Sequence, residues 1–281
     1  MSPSEPKSQI FNTGLRALRR QRAKRRIEQG RGEGFLLTYT GQIAAEKITD
    51  INRRFEHAVI IGLPTFRRAL LENLPGEKQP IQCHECDDWP EELPQEVDLV
   101  VSGLVLQSIN DIPGLMRSAR ESLRPDGLFL SALLGGESLL GLRRACFSAD
   151  QQNFEGVLPR VAPMIDLQQA AGLLGAGGLA LPVVDKDVCS VTYKSLDTLI
   201  QDLRDLGETN NLSTMSGRFA GRFYLDDLMR FYPERDLSGK FICPFEIIWM
   251  TGWKPHSSQQ KPLRPGSAKV HLADAVNRSK L

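Results

Sequence analysis

The sequence has no long hydrophobic run. No window of the 281 residues reaches the ~18 consecutive apolar residues that a membrane-spanning helix needs, and the first residues lack the apolar core of a secretory signal. A surplus of charge is also missing, because 35 Lys and Arg balance 34 Asp and Glu. With a net charge of +1, no global field favours a nucleic acid or a membrane as partner.

Cysteine and histidine are scarce. Five cysteines, an odd number, indicate reduced thiols in a cytosol-like compartment rather than a disulfide framework. Cys83-His84-Glu85-Cys86 contains a Cys-x-x-Cys pair, but a structural zinc needs four ligands and the other cysteines are isolated in the sequence. We therefore expect ordinary strand-end residues there and no metal site. The four histidines contain no His-x-Asp pair, so the sequence by itself gives no oxygenase iron centre.

The charge that is present is unevenly spread. Between Arg16 and Arg31 lie eight basic residues and a single acid, Glu28. The short apolar stripe of Ile10, Phe11, Leu15 and Leu18 predicts that this segment is a docking helix, with an organellar transit peptide as the alternative. Such a helix suits an acidic partner surface or a peripheral contact with anionic lipid. No aromatic residue interleaves the charges, which argues against nucleic acid as the partner.

Short apolar runs alternate with helical patterns along the rest of the chain. This alternation predicts an α/β protein with three α/β/α layers, a Rossmann-like fold whose sheet is mostly parallel. The expected strands are 58–62, 80–83, 97–102, 128–133, 183–193 and 245–253, and the last is expected to be antiparallel. The expected helices are 35–55, 67–74, 111–123, 137–146, 167–174 and 196–206. The predicted units are a basic arm (1–34), one domain (35–256) with a helical insert at about 196–240, and a polar tail (257–281).

Several of these landmarks resemble a known family. The strand 97–102, the following Asn110-Asp111 and the turn 124–127 resemble the fourth and fifth strands of class I S-adenosylmethionine-dependent methyltransferases. Segments 202–210 and 249–256 look like the mitochondrial complex I assembly-factor branch, a methyltransferase-like group implicated in hydroxylating an arginine of a complex I subunit. The malonyl-carrier methyltransferases are more distant relatives. Segment 259–266 looks like bacterial versions, so a bacterial cytoplasm is the expected location, with the mitochondrial matrix as the alternative.

The resemblance implies S-adenosylmethionine as the cofactor and a protein partner, a respiratory complex I subunit. In the family, the first strand ends in an acid followed by Gly-x-Gly-x-Gly, because the backbone must approach the cofactor closely. Here Ile60 stands where the acid is expected, only Gly62 survives, and Pro64 removes an N–H donor. About two dozen residues separate Gly62 from Asp87, so the first half of the domain is expected to be abbreviated.

The resemblance assigns candidate site residues on two sides. Glu85 or Asp87 would be the acid that binds the ribose or lies beside the adenine, and the alternative is a solvated acidic loop. Relatives often carry His-Trp where Gln107-Ser108 stand here, which weakens the methionine end of the pocket. The cofactor-side candidates are Gly62, Glu85, Asp87, Asp88, Ser102 and Gln107. The substrate-side candidates are Arg204, Glu208 and Asn210.

Three functions remain open at this point. The first is a methyltransferase-like enzyme of the assembly-factor type with a degenerate cofactor loop, which acts on a protein. The second is a non-enzymatic assembly factor that keeps the fold as a protein-binding surface. The third is a methyltransferase for an acyl thioester or another small molecule. Arg204 and Glu208 would grip a protein substrate or cover the pocket, or would simply pair on a helix surface. No catalytic residue is identified from the sequence.

Overall fold

A computed structural model describes residues 9–215, 224–260 and 267 of the chain. Within these ranges the helices are α1 (Thr13–Glu28), α2 (Phe35–Thr49), α3 (Pro64–Asn73), α4 (Ile112–Ser122), α5 (Leu140–Asn153), α6 (Leu167–Ala176), α7 (Leu196–Leu206) and α8 (Tyr224–Phe231). The strands are β1 (His57–Ile61), β2 (Gln82–Cys86), β3 (Val97–Gly103), β4 (Leu123–Leu134), β5 (Ala180–Tyr193) and β6 (Phe241–Trp253). None of these helices combines the length and the apolar character needed to cross a bilayer.

The six strands form one sheet in the order β2-β1-β3-β4-β6-β5. Strands β1 to β4 pair in parallel, whereas β6 runs antiparallel to both of its neighbours. The predicted α/β fold with an antiparallel last strand is confirmed. In the doubly wound order 3-2-1-4-5-6, two strands lie beyond the first one. Among the described residues β2 alone lies beyond β1, so the first half of the domain is abbreviated, as expected.

Alternate residues of the strands face two separate hydrophobic layers. Ala58 and Ile60 of β1 pack in the larger layer with α2, α3, α5, α7 and α8. Val59 and Ile61 pack in the other layer with α4 and α6. Because successive side chains of a strand point to opposite faces, apolar residues at every position bury both faces of the sheet. The continuous apolar runs of the sequence have this physical cause.

Helix α4 begins at a side-chain cap, and two neighbouring parts of the sheet are more continuous than expected. Asp111 Oδ1 accepts a hydrogen bond from the Gly114 amide at 3.0 Å, so Asp111 caps α4. The expected turn 124–127 is a bulge inside β4, since Val97 pairs with Leu123 and Leu99 already pairs with Leu128. The expected strand 183–193 is part of β5, which begins at Ala180.

Several expectations differ from the structure. The second strand is Gln82–Cys86 and not 80–83, helix α2 ends at Thr49 and not at 55, and α8 lies in the helical insert without having been predicted individually. The predicted apolar stripe is divided, because Phe11 is buried whereas Ile10 and Leu18 are exposed, and Arg16 and Arg20 are buried. The arm's residues 1–8, the insert's residues 216–223, and 261–266 and 268–281 of the predicted tail lie outside the described residues.

Candidate functional site

The candidate site lies where the parallel strands β1, β2 and β3 end. Ligands of open α/β sheets bind at the carboxyl ends of the strands, where the strand order reverses. Here Gly62 follows β1, Asp87 and Asp88 follow β2, and Leu104 to Ser108 follow β3. The structure therefore brings the cofactor-side candidates to one edge of the sheet, with Glu85 still inside β2.

The glycine turn after β1 is closed by an aromatic ring. Phe66, in the first turn of α3, is fully buried. A Cβ atom on Gly103 would lie 2.3 Å from the Phe66 ring, and one on Gly62 would lie 2.8 Å from it. The space that these two glycines leave is thus filled by the ring of Phe66. Pro64 is the first residue of α3, a position that suits proline because its fixed φ and its missing N–H cost nothing there.

Arg67 donates hydrogen bonds to polar groups at the ends of β1 and β2. Its guanidinium donates to the Gly62 carbonyl oxygen at 2.6 Å, to Glu85 Oε2 at 2.8 Å and to Asp87 Oδ1 at 2.6 Å. The candidate ribose acids Glu85 and Asp87 therefore both have the same cation as a partner. Asp87 also accepts a hydrogen bond from Lys24 of α1 at 2.5 Å.

Two buried arginines of helix α1 contact the ends of the strands. The Arg16 guanidinium forms a bidentate pair with Asp88, with N–O distances of 2.5 and 2.8 Å. It also donates to Ser108 Oγ at 3.0 Å and to the Val105 carbonyl at 3.1 Å. Arg20 donates to the carbonyls of Leu104 and Asp87 at 3.2 and 2.8 Å. Carbonyl groups at the ends of β2 and β3 are thus satisfied by the chain's own cations.

The charges of this cluster are coupled. Burial alone would raise the pKa of Asp88, but the hydrogen bond from Arg16 and the charge of Arg20 outweigh it and lower that pKa. Burial would also raise the pKa of Asp87, but the hydrogen bonds from Lys24 and Arg67 outweigh burial and lower that pKa. Both carboxylates are therefore held in the charged form that the arginines require.

The three substrate-side candidates do not form one group. Glu208 points inward, where it accepts a hydrogen bond from Ser108 at 3.3 Å and lies 3.8 Å from Arg20, and burial raises its pKa. Arg204 is exposed on α7. The Asn210 amide donates to the Pro159 carbonyl at 2.7 Å. Among the described residues, Arg204 and Glu208 do not form the helix-surface pair that was the alternative expectation.

Ser102 and Gln107 are buried polar residues at the end of β3. Ser102 has no exposed surface, and the Gln107 residue is 7% exposed. The Ser102 hydroxyl has no hydrogen-bond partner in the part of the chain that the structure describes, and the Gln107 amide has none of good geometry there, although it lies close enough to Glu208 to favour the charged carboxylate. Gln107 lies between a cavity of about 150 Å³, bordered by Glu208 and Asn210, and one of about 300 Å³, bordered by Phe11 and Leu173.

Sequence reasoning missed the cations that fill the site. Arg16, Arg20 and Lys24 recur every fourth residue and therefore share one face of α1. Their spacing shows that they lie on one face of the helix, but Asp87 and Asp88 had been considered only as cofactor-side candidates and not as their partners. Phe66 and Arg67 gave no such signal, since nothing in a single sequence says which way an α3 side chain turns.

The chain was compared with known proteins. No protein-family model matches it. It is 29% identical to "Arginine-hydroxylase NDUFAF5, mitochondrial" of Danio rerio over 297 aligned positions, which cover 97% of this chain and 91% of that protein. It is 33% identical to the Mus musculus protein of the same name, over 63% of this chain and 52% of that one. The "Malonyl-[acyl-carrier protein] O-methyltransferase" of Xylella fastidiosa (strain M23) is 33% identical, over 57% and 53%.

Solved structures give a weaker likeness. A putative methyltransferase from Bacillus halodurans C-125 is 8% identical with a TM-score of 0.46, covering 76% of this chain and 99% of that one. The Haemonchus contortus phosphoethanolamine N-methyltransferase 2, solved with S-adenosylhomocysteine, is 14% identical with a TM-score of 0.43, covering 76% and 52%. Likenesses of this size say nothing about activity.

The sheet order, with β6 as the one antiparallel strand among the described residues, is that of a class I methyltransferase-like fold. The chain is similar over nearly its whole length to a protein named arginine-hydroxylase NDUFAF5, and over 57% of its length to a malonyl-carrier methyltransferase.

Proposed function

We propose that the chain is a non-enzymatic assembly factor that keeps the methyltransferase fold as a protein-binding surface. Its partner would be a respiratory complex I subunit, as the resemblance to the assembly-factor branch implies. The observation that carries this proposal is the filled cofactor cleft: Arg16, Arg20 and Arg67 hold the acids and carbonyls at the strand ends.

The arginines compete with S-adenosylmethionine for the same acceptors. The sulfonium, the ammonium and the ribose hydroxyls of the cofactor all need free acidic or carbonyl acceptors, and its one carboxylate could pair with only part of the arginine cluster. Here Asp87 and Asp88 already bind four cationic side chains between them, Arg16, Arg20, Lys24 and Arg67. Binding the cofactor would break these pairs and leave buried guanidinium groups without partners, which costs several kcal/mol. The residues present do not fit this cofactor.

The space through which a ligand could approach the backbone at the end of β1 is also filled. The ring of Phe66 packs against the positions where Gly62 and Gly103 leave room. A ligand that approached this backbone would have to displace a fully buried aromatic side chain. Removing such a side chain from its packed site costs about 3–5 kcal/mol, more than a weak ligand can supply.

One observation favours a second candidate, S-adenosylmethionine-dependent methyl transfer. A cavity of about 370 Å³ lies beside α1 and is lined by Arg20, Lys24, Leu63, Asp87 and Asp88. This volume is within the range of small-molecule sites. In that case α1 would have to move outward when the cofactor binds.

Arginine hydroxylation, which the relatives' printed name attributes to them, is not included in the proposal. Such oxygenases commonly hold iron with two histidines and a carboxylate. Within the described residues no group of three or more His, Cys, Asp and Glu side chains is arranged to hold a metal ion.

Isothermal titration with S-adenosylmethionine tests the proposal. Wild type and Pro64→Gly are titrated in parallel up to about 1 mM ligand, a limit below which even weak sites are detected. We expect no saturable heat from either protein, because Pro64→Gly leaves Phe66 and the arginines in place. Saturable binding to wild type would support the second candidate instead. Binding to Pro64→Gly alone would show that the loop, and not the filling, is the defect.

A further inference from the structure

The two faces of α1 have different electrostatic surroundings. On the inner face, Arg16, Arg20 and Lys24 are paired with acids. On the outer face, Arg19, Arg22 and Arg26 occur at intervals of three and four residues and therefore form a row of roughly 10 Å. Of these three, Arg26 alone has an ion-pair partner among the described residues, with 2.6 Å between its Nε and Asp205 Oδ1.

This outer row faces α7 across a groove. The groove has a volume of about 370 Å³, and its walls are Arg19, Arg22, Arg26, Ile200, Arg204 and Thr209. Four guanidinium groups thus converge on one concave surface. The acids close to them are already engaged, because Asp205 pairs with Arg26 and Glu208 lies beside Arg20.

The positive charges of the groove arginines repel one another. Partial burial lowers the pKa of Arg19, and the charge of Arg22 lowers it further, against the opposite effect of Glu208. The Arg19 Nη1 atom is buried without a hydrogen-bond partner among the described residues. An anion in the groove would relieve this repulsion and supply the missing acceptor, since planar guanidinium groups bind oxyanions bidentately.

We infer that the groove between α1 and α7 binds an acidic segment of a protein partner, with carboxylates in contact with Arg19, Arg22 and Arg204. This inference rests on the proposed function and names the chemistry of the partner. An extended segment advances ~3.3 Å per residue, so acids at every second position would match the spacing of the row.

Two other polyanions fit the groove less well. Single-stranded nucleic acid binds through aromatic side chains on which its bases stack, and no aromatic side chain lines this groove. A bilayer offers a nearly flat array of headgroups, whereas these arginines line a concave surface whose walls are two helices. A narrow chain reaches the floor of such a groove and a bilayer does not.

Fluorescence anisotropy with a labelled hexaglutamate peptide tests the inference on the full chain. Two charge-reversal variants are compared, Arg22→Glu/Arg204→Glu in the groove and Arg68→Glu/Arg117→Glu on exposed surfaces of α3 and α4. Both change the net charge equally. We expect saturable binding to wild type that weakens with salt, and a loss of about tenfold or more in the groove variant. The control is expected to stay within about twofold of wild type, because distant exposed charges are screened.

Other outcomes overturn the inference. Absence of saturable peptide binding does so, and so does an equal loss in both variants, which would indicate general attraction of charges. The inference also fails if phosphatidylcholine–phosphatidylserine vesicles bind with the same sensitivity to the groove variant while the peptide does not. None of these results depends on S-adenosylmethionine, so they separate from a failure of the proposed function, which the cofactor titration reports.

Discussion

At the scale of single residues, the acid that holds the arginines is the critical group. Asp88 accepts two of the hydrogen bonds that Arg16 donates and lies 3.6 Å from Arg20. Those arginine side chains are only 10% and 4% exposed. When one partner of a buried ion pair is removed, the charge left behind is uncompensated and the loss is large. Asp88 therefore determines whether α1 can stay on the strand ends.

The first prediction concerns the neutral variant Asp88→Asn. We expect its free energy of unfolding to fall by about 2–3 kcal/mol, less than for a fully buried pair because Asp88 is partly exposed. Asp126→Asn is the matched control, since its pair with Arg53 is more exposed and should contribute less than ~1 kcal/mol. Urea unfolding followed by circular dichroism measures both. Equal losses in the two variants would contradict the role given to Asp88.

The second prediction is a dependence on pH. The pKa of Asp88 is lowered in the folded chain. Its contribution to stability is therefore present above the unfolded value of about 3.9 and is lost as the pH falls through the lower folded value. Wild type should lose more stability than Asp88→Asn between about pH 5 and pH 2.

Glu208 acts with the opposite sign. Its pKa is raised by burial, so its favourable contribution is present at low pH and is lost as the pH rises. Glu208 is present in both proteins, so the difference between the two curves reports the loss of the Asp88 charge, including its effect on Glu208 through Arg20. Urea midpoints across this range measure the difference. Parallel curves would show that Asp88 has no special state in the fold.

At the scale of elements, α1 packs closely against the C-terminal end of α7. Gly207 terminates α7 with a φ of +75°, and a Cβ there would lie 3.1 Å from the Arg20 Cα atom. The backbone of α1 thus approaches the end of α7 so closely that a Cβ at Gly207 would be tighter than an ordinary van der Waals contact, at a positive φ that itself favours glycine.

The third prediction compares two glycine variants. Gly207→Ala and Gly239→Ala both place a side chain at positive φ, but a Cβ atom at Gly239 would have no neighbouring atom within 4 Å. We expect about 1 kcal/mol of destabilisation from the backbone alone in Gly239→Ala, and a further ~1–2 kcal/mol in Gly207→Ala from the contact with α1. Thermal or urea unfolding measures the difference. If the two variants lose the same stability, α1 does not pack there.

How far the sequence predicts these elements depends on which signal each one carries. Strands β1, β3 and β4 were predicted because burial on both faces demands continuous apolar residues, such as Val59 and Ile60. The position of α1 was not predicted, because an apolar stripe was expected to pack against a neighbouring surface, whereas buried arginines hold the helix against the strand ends. Which face of a charged helix is buried depends on the distant acids Asp87 and Asp88, and their position is known only from the fold.

At the scale of the whole molecule, the proposal separates the fold from the activity of methyltransferases. The sheet has the architecture of a methyltransferase-like fold, with β6 antiparallel. At the carboxyl ends of β1 to β3 lie the ring of Phe66 and arginines from two helices. The candidate residues Gly62, Asp87 and Asp88 lie close together, since strand ends meet at one edge. What they bind was not predictable, because partners distant in sequence decide it.

Hydrogen–deuterium exchange of α1 tests the central claim most directly, namely that the chain itself fills the cofactor cleft. The amides of residues 17–24 are followed in the free protein and with about 1 mM S-adenosylmethionine. The filled cleft predicts slow exchange in both samples, with no change on adding the ligand. Fast exchange in the free protein, or a change in protection when the ligand is added, would mean that α1 is a lid over a working cofactor site.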